Sequence, residues 1–142
     1  MLAALMLLFS VSGFAAGKDN VTKQVQLAFE KDFAVVSDVS WQQKEGFYFA
    51  SFKLNGVYSS AAYNADGELL GTSRDIEAIQ LPLSVSMAIS KKYSDFTLPK
   101  TVMEINYEGQ TFYYVTLNND EKTILLKCYS NGEIQVESKV KK

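Results

Sequence analysis

A helical stripe that recurs sixty residues further on constrains this chain more than any other feature. Over 20–33 (NVTKQVQLAFEKDF) the apolar residues Val21, Val25, Ala28, Phe29 and Phe33 follow the i, i+4, i+7, i+8 spacing of one helix face. Over 81–93 (LPLSVSMAISKKY) Leu81, Val85, Ala88, Ile89 and Tyr93 repeat it, each sixty positions beyond its counterpart. Asp19 or Asn20 is the expected N-cap of the first helix. Pro82 falls in the first turn of the second, where a missing N–H is tolerated.

Short alternating runs follow each helix, punctuated by turn residues. The first half carries Glu45-Gly46, Asn55-Gly56 and Asp66-Gly67, and the second Glu108-Gly109, Asn118-Asn119-Asp120 and Asn131-Gly132. Pairs of the Asn-Gly type supply the positive φ angles that tight hairpins need. Three turns separate four strands, expected at 35–44, 47–54, 57–63 and 68–74, and again at 101–107, 111–117, 122–129 and 133–140. Phe49, Leu54 and Asn55 match Phe112, Leu117 and Asn118, and the run Tyr63–Glu68 matches Tyr129–Glu133 with one residue fewer. The pattern predicts an α+β fold: two tandem α-β-β-β-β repeats forming an antiparallel sheet with the helices on one face. A unit of about 60 residues is marginal alone, so the repeats, 18–76 and 77–142, are expected to form one compact domain.

The first seventeen residues, MLAALMLLFSVSGFAAG, read differently. They carry no charge, and the apolar run Leu2–Phe9 falls short of the ~20 residues that span a bilayer. Small residues at Gly13, Ala15 and Gly17 fit the cleavage region of a secretory signal peptide, although a basic stretch at the start is missing. Residues 1–17 are therefore expected to be a leader, the mature chain periplasmic or secreted, with no membrane span after cleavage.

Composition narrows the chemistry. The chain has no histidine, which excludes Ser-His-Asp and Cys-His catalysis and histidine-ligated zinc. A single cysteine, Cys128, excludes an internal disulfide and a CxxC pair. A net charge of −2 leaves no basic excess for nucleic acid. The Asn64–Glu68 run lacks the ligands of a calcium loop at positions 62 and 73, and reads as a hairpin. The carboxylate pairs Glu30/Asp32 and Asp66/Glu68 fall on solvated positions, and Ser90 and Lys92 do not share a helix face. No enzyme activity, metal or cofactor is expected. Cys128 and Trp41 both alternate with apolar neighbours and should point into the core.

Taken together, the helix ending in Phe33, the Val39-Ser40-Trp41 segment, the Tyr63–Glu68 turn, the Leu81-Pro82 helix start and Ser90-x-x-Tyr93 resemble the PepSY-like, β-lactamase-inhibitor-like proteins of the bacterial envelope. The resemblance covers about residues 20–140. It implies an exported protein of tandem helix-plus-sheet repeats, and an inhibitory or binding role for an open sheet face.

Strand parity then selects candidate residues. With Tyr48, Ala50, Phe52 and Leu54, and Tyr113, Val115 and Leu117, turned toward the helices, Phe49, Tyr63, Phe112, Tyr114 and Tyr129 are left over. They are expected to form an exposed aromatic stripe on the opposite side of the sheet. The function this predicts is a non-enzymatic binding module whose partner is an envelope protein, with a hydrolase that it inhibits as the leading class. A small-ligand or envelope-stress sensor of the periplasm is the alternative.

Overall fold

Thr22 opens the first helix by accepting a hydrogen bond from the Val25 amide on its side-chain hydroxyl at 3.2 Å. The N-cap is thus Thr22 rather than Asp19 or Asn20. The computed structural model describes residues 20–142, so the expected leader lies outside the described residues. Helix α1 spans Lys23–Asp32 and α2 spans Leu83–Lys92. Pro82, sixty residues beyond Thr22, stands at the N-cap of α2, one position earlier than the first turn. A 3-10 turn at Ala78–Gln80, which the sequence pattern does not anticipate, leads into it.

The strands are β1 (Val39–Lys44), β2 (Phe47–Leu54), β3 (Val57–Tyr63), β4 (Leu69–Glu77), β5 (Thr101–Tyr107), β6 (Gln110–Asn118), β7 (Lys122–Tyr129) and β8 (Ile134–Lys141). They form an eight-stranded antiparallel sheet in sequence order, so the fold is α+β with two α-β-β-β-β repeats, as expected. The chain divides into two compact units with the boundary between Ser73 and Arg74, inside β4.

In the first unit α1 buries Val25 and Phe29 against Trp41, Tyr48, Ala50, Phe52, Ala61 and Tyr63. The Phe29 ring meets Trp41 and Phe52 edge-on, each at 5.3 Å between centroids. In the second unit α2 buries Val85 and Ile89 against Val102, Tyr113, Val115, Leu117, Ile124, Leu126 and Cys128. The two cores reach the same end by opposite distributions of volume. Phe29 from α1 and Trp41 from the neighbouring β1 pack about the small cross-strand pair Ala50 and Ala61. Ile89 from α2 and Val102 from β5 pack about the large pair Val115 and Leu126. Alternating large and small side chains across facing layers fills either arrangement at native density.

Three hairpins close through two-residue turns with both central φ angles positive, at Glu45-Gly46, Asn55-Gly56 and Glu108-Gly109. The β3–β4 and β7–β8 hairpins serve a different purpose. Gly67 (φ +82°) and Gly132 (φ +94°) bring each hairpin back against the first turn of its own helix. A Cβ there would lie 2.8 Å from the Gln24 carbonyl oxygen or 3.0 Å from that of Ser84. Gln24 and Ser84 are sixty residues apart, so these contacts fix the correspondence of the two units. Gly67 answers to Gly132, and counting back four residues places Tyr63 in correspondence with Cys128, not with Tyr129.

Candidate binding face

Cross-strand pairing assigns every side chain to a face. In the second unit Tyr113, Val115 and Leu117 pair with Cys128, Leu126 and Ile124 beneath α2. The opposite face therefore carries two ladders of partners: Ile105–Phe112–Tyr129, and beside it Met103–Tyr114–Lys127–Gln135. The Phe112 ring meets Tyr114 edge-on at 5.8 Å and Tyr129 at 6.4 Å. The Lys127 ammonium lies 4.3 Å from the Phe112 centroid and 4.9 Å from that of Tyr129, so both rings turn a negative π face to the same cation. Lys127 is only 3% exposed. Tyr114 is 8% exposed, and among the described residues its hydroxyl is the buried side-chain polar atom left without a hydrogen-bond partner. Burial, with Glu137 and Tyr129 nearby, holds that hydroxyl well above the usual phenol range, so it stays a donor.

The expected stripe of five exposed aromatics is corrected in two ways. Tyr63 is on the other face. It pairs with Tyr48, packs among Phe29 and Trp41, is fully buried, and donates a hydrogen bond to Asp32 Oδ2 at 2.9 Å. Tyr129, its match by sequence, pairs with Phe112 and keeps the expected face. The two hairpins have equal length, and the tyrosine simply stands one position later in the second; a shift of one residue inverts the face.

The second correction concerns exposure. Phe49, Phe112 and Tyr114 do point away from the helix of their own unit, but they are 3%, 2% and 8% exposed, and Tyr129 is half-buried. A sheet face that no helix among the described residues covers is not for that reason exposed. Around Phe112 the rings of Tyr114 and Tyr129 and the Lys127 ammonium lie in contact. Lys127 is the residue that parity reasoning passed over. Its signal was a lysine inside the run Ile124–Cys128, at the parity of the aromatic set.

In the first unit, Phe49 stands opposite the buried Ala62. Ser60 and Ser73 share a short hydroxyl–hydroxyl hydrogen bond on that face. A groove of about 390 Å³ lies beside it between Val35, Asp38, Ser40, Ser51, Lys53 and Tyr58. Val35 is 85% exposed there, and the Lys53 ammonium lies 4.5 Å over the Tyr58 ring. Elsewhere Cys128 is fully buried, and burial pushes its thiol up to about 11. Trp41 is buried under Phe29, as expected. Among the described residues no cluster of three or more Cys, Asp or Glu side chains could hold a metal ion, and no helix is long and apolar enough to cross a membrane.

This arrangement of two helix-covered units recurs in solved structures. A BLIP-like protein from Bacteroides fragilis superposes with a TM-score of 0.71 at 23% identity, covering 89% of this chain and 91% of that one. The likeness is one of fold. A DUF2874 family protein from Bacteroides uniformis gives a TM-score of 0.74 at 19% identity over 85% of this chain and 89% of its own. A protein from Bacteroides eggerthii that is assigned to the periplasm gives 0.74 at 21% identity over 85% and 88%. The chain matches no family model and no curated protein.

Proposed function

We propose that this chain is an exported, non-enzymatic binding module that engages a protein partner through the sheet face of its second unit that lies opposite α2. The observation that carries the reading is the Phe112–Tyr114–Lys127–Tyr129 cluster, a cation and an unmet hydroxyl set among aromatic rings on a rigid sheet. The cluster is the buried floor of the face, and the surface it offers a partner is the half-buried Tyr129 and Leu125 with the exposed Thr116 and Gln135 around them. Phe49 holds the corresponding face of the first unit; Tyr63 is a core residue and leaves the set. The absence of histidine supports a non-enzymatic role. A periplasmic or secreted location is supported by the leader-like 1–17 and by the fold shared with a protein assigned to the periplasm. The fold shared with a BLIP-like protein, together with the family resemblance of the sequence, favours an envelope hydrolase as the partner and inhibition as the outcome.

The face is tested by blocking it without disturbing the core. Thr116 is exposed and two residues beyond Tyr114 on the same strand face. Affinity capture from native envelope extract is expected to recover a partner with the wild-type mature chain and with Lys91→Glu on α2, and to lose it with Thr116→Arg. Identical recovery by all three would place the binding surface elsewhere.

A further inference from the structure

The sheet ends on two strands that differ in how they are guarded. Among the described residues β1 pairs only with β2 and β8 only with β7, so each presents a row of unpaired backbone donors and acceptors. Along β8 stand Glu137, Lys139 and Lys141, exposed charges of the kind that keep a further strand from pairing. Along β1 (VSWQQK) there is no charge before Lys44, its last residue.

The turn after β1 decides which of its backbone groups point outward. Glu45 and Gly46 make a two-residue turn with both φ angles positive, so the closing pair Lys44 and Phe47 exchanges its hydrogen bonds across the hairpin. Alternation then turns the N–H and C=O groups of Ser40 and Gln42 toward β2, and those of Val39, Trp41 and Gln43 toward the open side. Suppose β1 meets its own copy, antiparallel about Trp41. Val39 then stands opposite Gln43 and Trp41 opposite Trp41, and the outward groups satisfy one another through about six hydrogen bonds. The same register sets Asp38 opposite Lys44 at both ends. Both side chains are exposed, and neither forms an ion pair with another described residue. Moving the axis by one residue either way separates the two charges.

We propose that two copies of this chain associate through β1, antiparallel about Trp41, and continue the sheet across a two-fold axis. Charge complementarity selects a second copy over an unrelated strand, because one β1 segment supplies both the carboxylate and the ammonium that the other needs. The contact is closed. It uses the same strand on both sides and leaves the guarded β8 unused, so association stops at a dimer and does not run on as a filament. A pairing over 38–44 is small beside the interfaces of permanent dimers, so dissociation in the micromolar range is expected.

Sedimentation velocity of the mature chain from about 1 to 300 µM is expected to show a reversible monomer–dimer equilibrium. Gln43→Pro removes an outward N–H at an edge position that tolerates proline. It is expected to weaken the dimer about tenfold or more, while the monomer melts within a few degrees of wild type. Asp38→Lys and Lys44→Glu each set like charges opposite one another at both ends, and each is expected to weaken the dimer about tenfold. The double variant Asp38→Lys/Lys44→Glu restores opposite charges and is expected to return the dimer to within about threefold of wild type. Lys139→Glu on β8 is expected to change nothing. A chain that stays monomeric throughout overturns the inference. So does a dimer that the charge variants leave intact, or a double variant that dimerises no better than the single ones.

Discussion

At the scale of single residues, burial decides behaviour more than residue type does. Cys128 is the one thiol, and its burial beneath α2 holds it protonated up to about pH 11. It is expected to resist alkylation by iodoacetamide in the native protein and to react at once after unfolding; rapid native labelling would refute the burial. The same shift has a thermodynamic sign. The folded thiol titrates above its ordinary 9.0, so the unfolded chain releases its proton first. The contribution is fully present below about pH 9 and is lost as pH rises toward 11, by about 2–3 kcal/mol in total. Urea midpoints measured between pH 8 and pH 11 are expected to fall, and to fall less in Cys128→Ala. Tyr63 offers a contrast with Tyr114. Its hydroxyl is spoken for by Asp32, so Tyr63→Phe is expected to lower stability by about 1–2 kcal/mol, whereas Tyr114→Phe removes an unmet group and is expected to cost nothing or to stabilise. Denaturation of both variants side by side checks the pair.

At the scale of elements, the returning hairpins are the most demanding pieces of geometry. Gly67→Ala adds a methyl group 2.8 Å from the Gln24 carbonyl oxygen at a backbone angle that L side chains avoid. It is expected to cost about 2–4 kcal/mol, against about 1–2 kcal/mol for an alanine at a positive-φ turn position with open space around it, such as Gly56. Equal losses would mean that the hairpin does not press on the helix. Much of this level was legible in the sequence. Strands β2, β3, β5 and β7 begin and end where turn chemistry places them, because Asn-Gly and Glu-Gly pairs leave the backbone little choice. Both helix faces were legible from their period. Two things were not. The N-cap moved from Asp19 or Asn20 to Thr22, since several polar residues in a row can each cap and only packing selects one. The face of Tyr63 was inverted because the Tyr-turn-Gly-Glu match aligned tyrosines, whereas the structure aligns the glycines that touch the helices. Exposure of the face opposite the two helices was illegible for a further reason: parity tells which way a side chain points and nothing about what covers it.

At the scale of the whole molecule, each unit is organised around one helix residue. Phe29→Ala removes a ring that meets Phe33, Trp41, Phe52 and Tyr63, and is expected to cost about 3–5 kcal/mol. Ile89→Ala, its counterpart in the second unit, is expected to cost about 2–5 kcal/mol. Chemical denaturation of the two variants measures both; no loss in either would refute the helix-centred cores. With no histidine, the chain lacks the side chain that ordinarily titrates between pH 5 and 8, so melting curves at pH 6, 7 and 8 are expected to superimpose. The opposite distribution of volume in the two cores has a genetic consequence. Tandem copies in a gene invite unequal crossing-over, which fuses the start of one copy to the end of the other. Here such a fusion would pack Phe29 and Trp41 about Val115 and Leu126, or Ile89 and Val102 about Ala50 and Ala61. The first product is overfilled and the second hollow. The first hybrid belongs to the shortened gene and the second to the reciprocal, lengthened one, so divergence of the two cores is expected to destabilise the hybrid unit in either product.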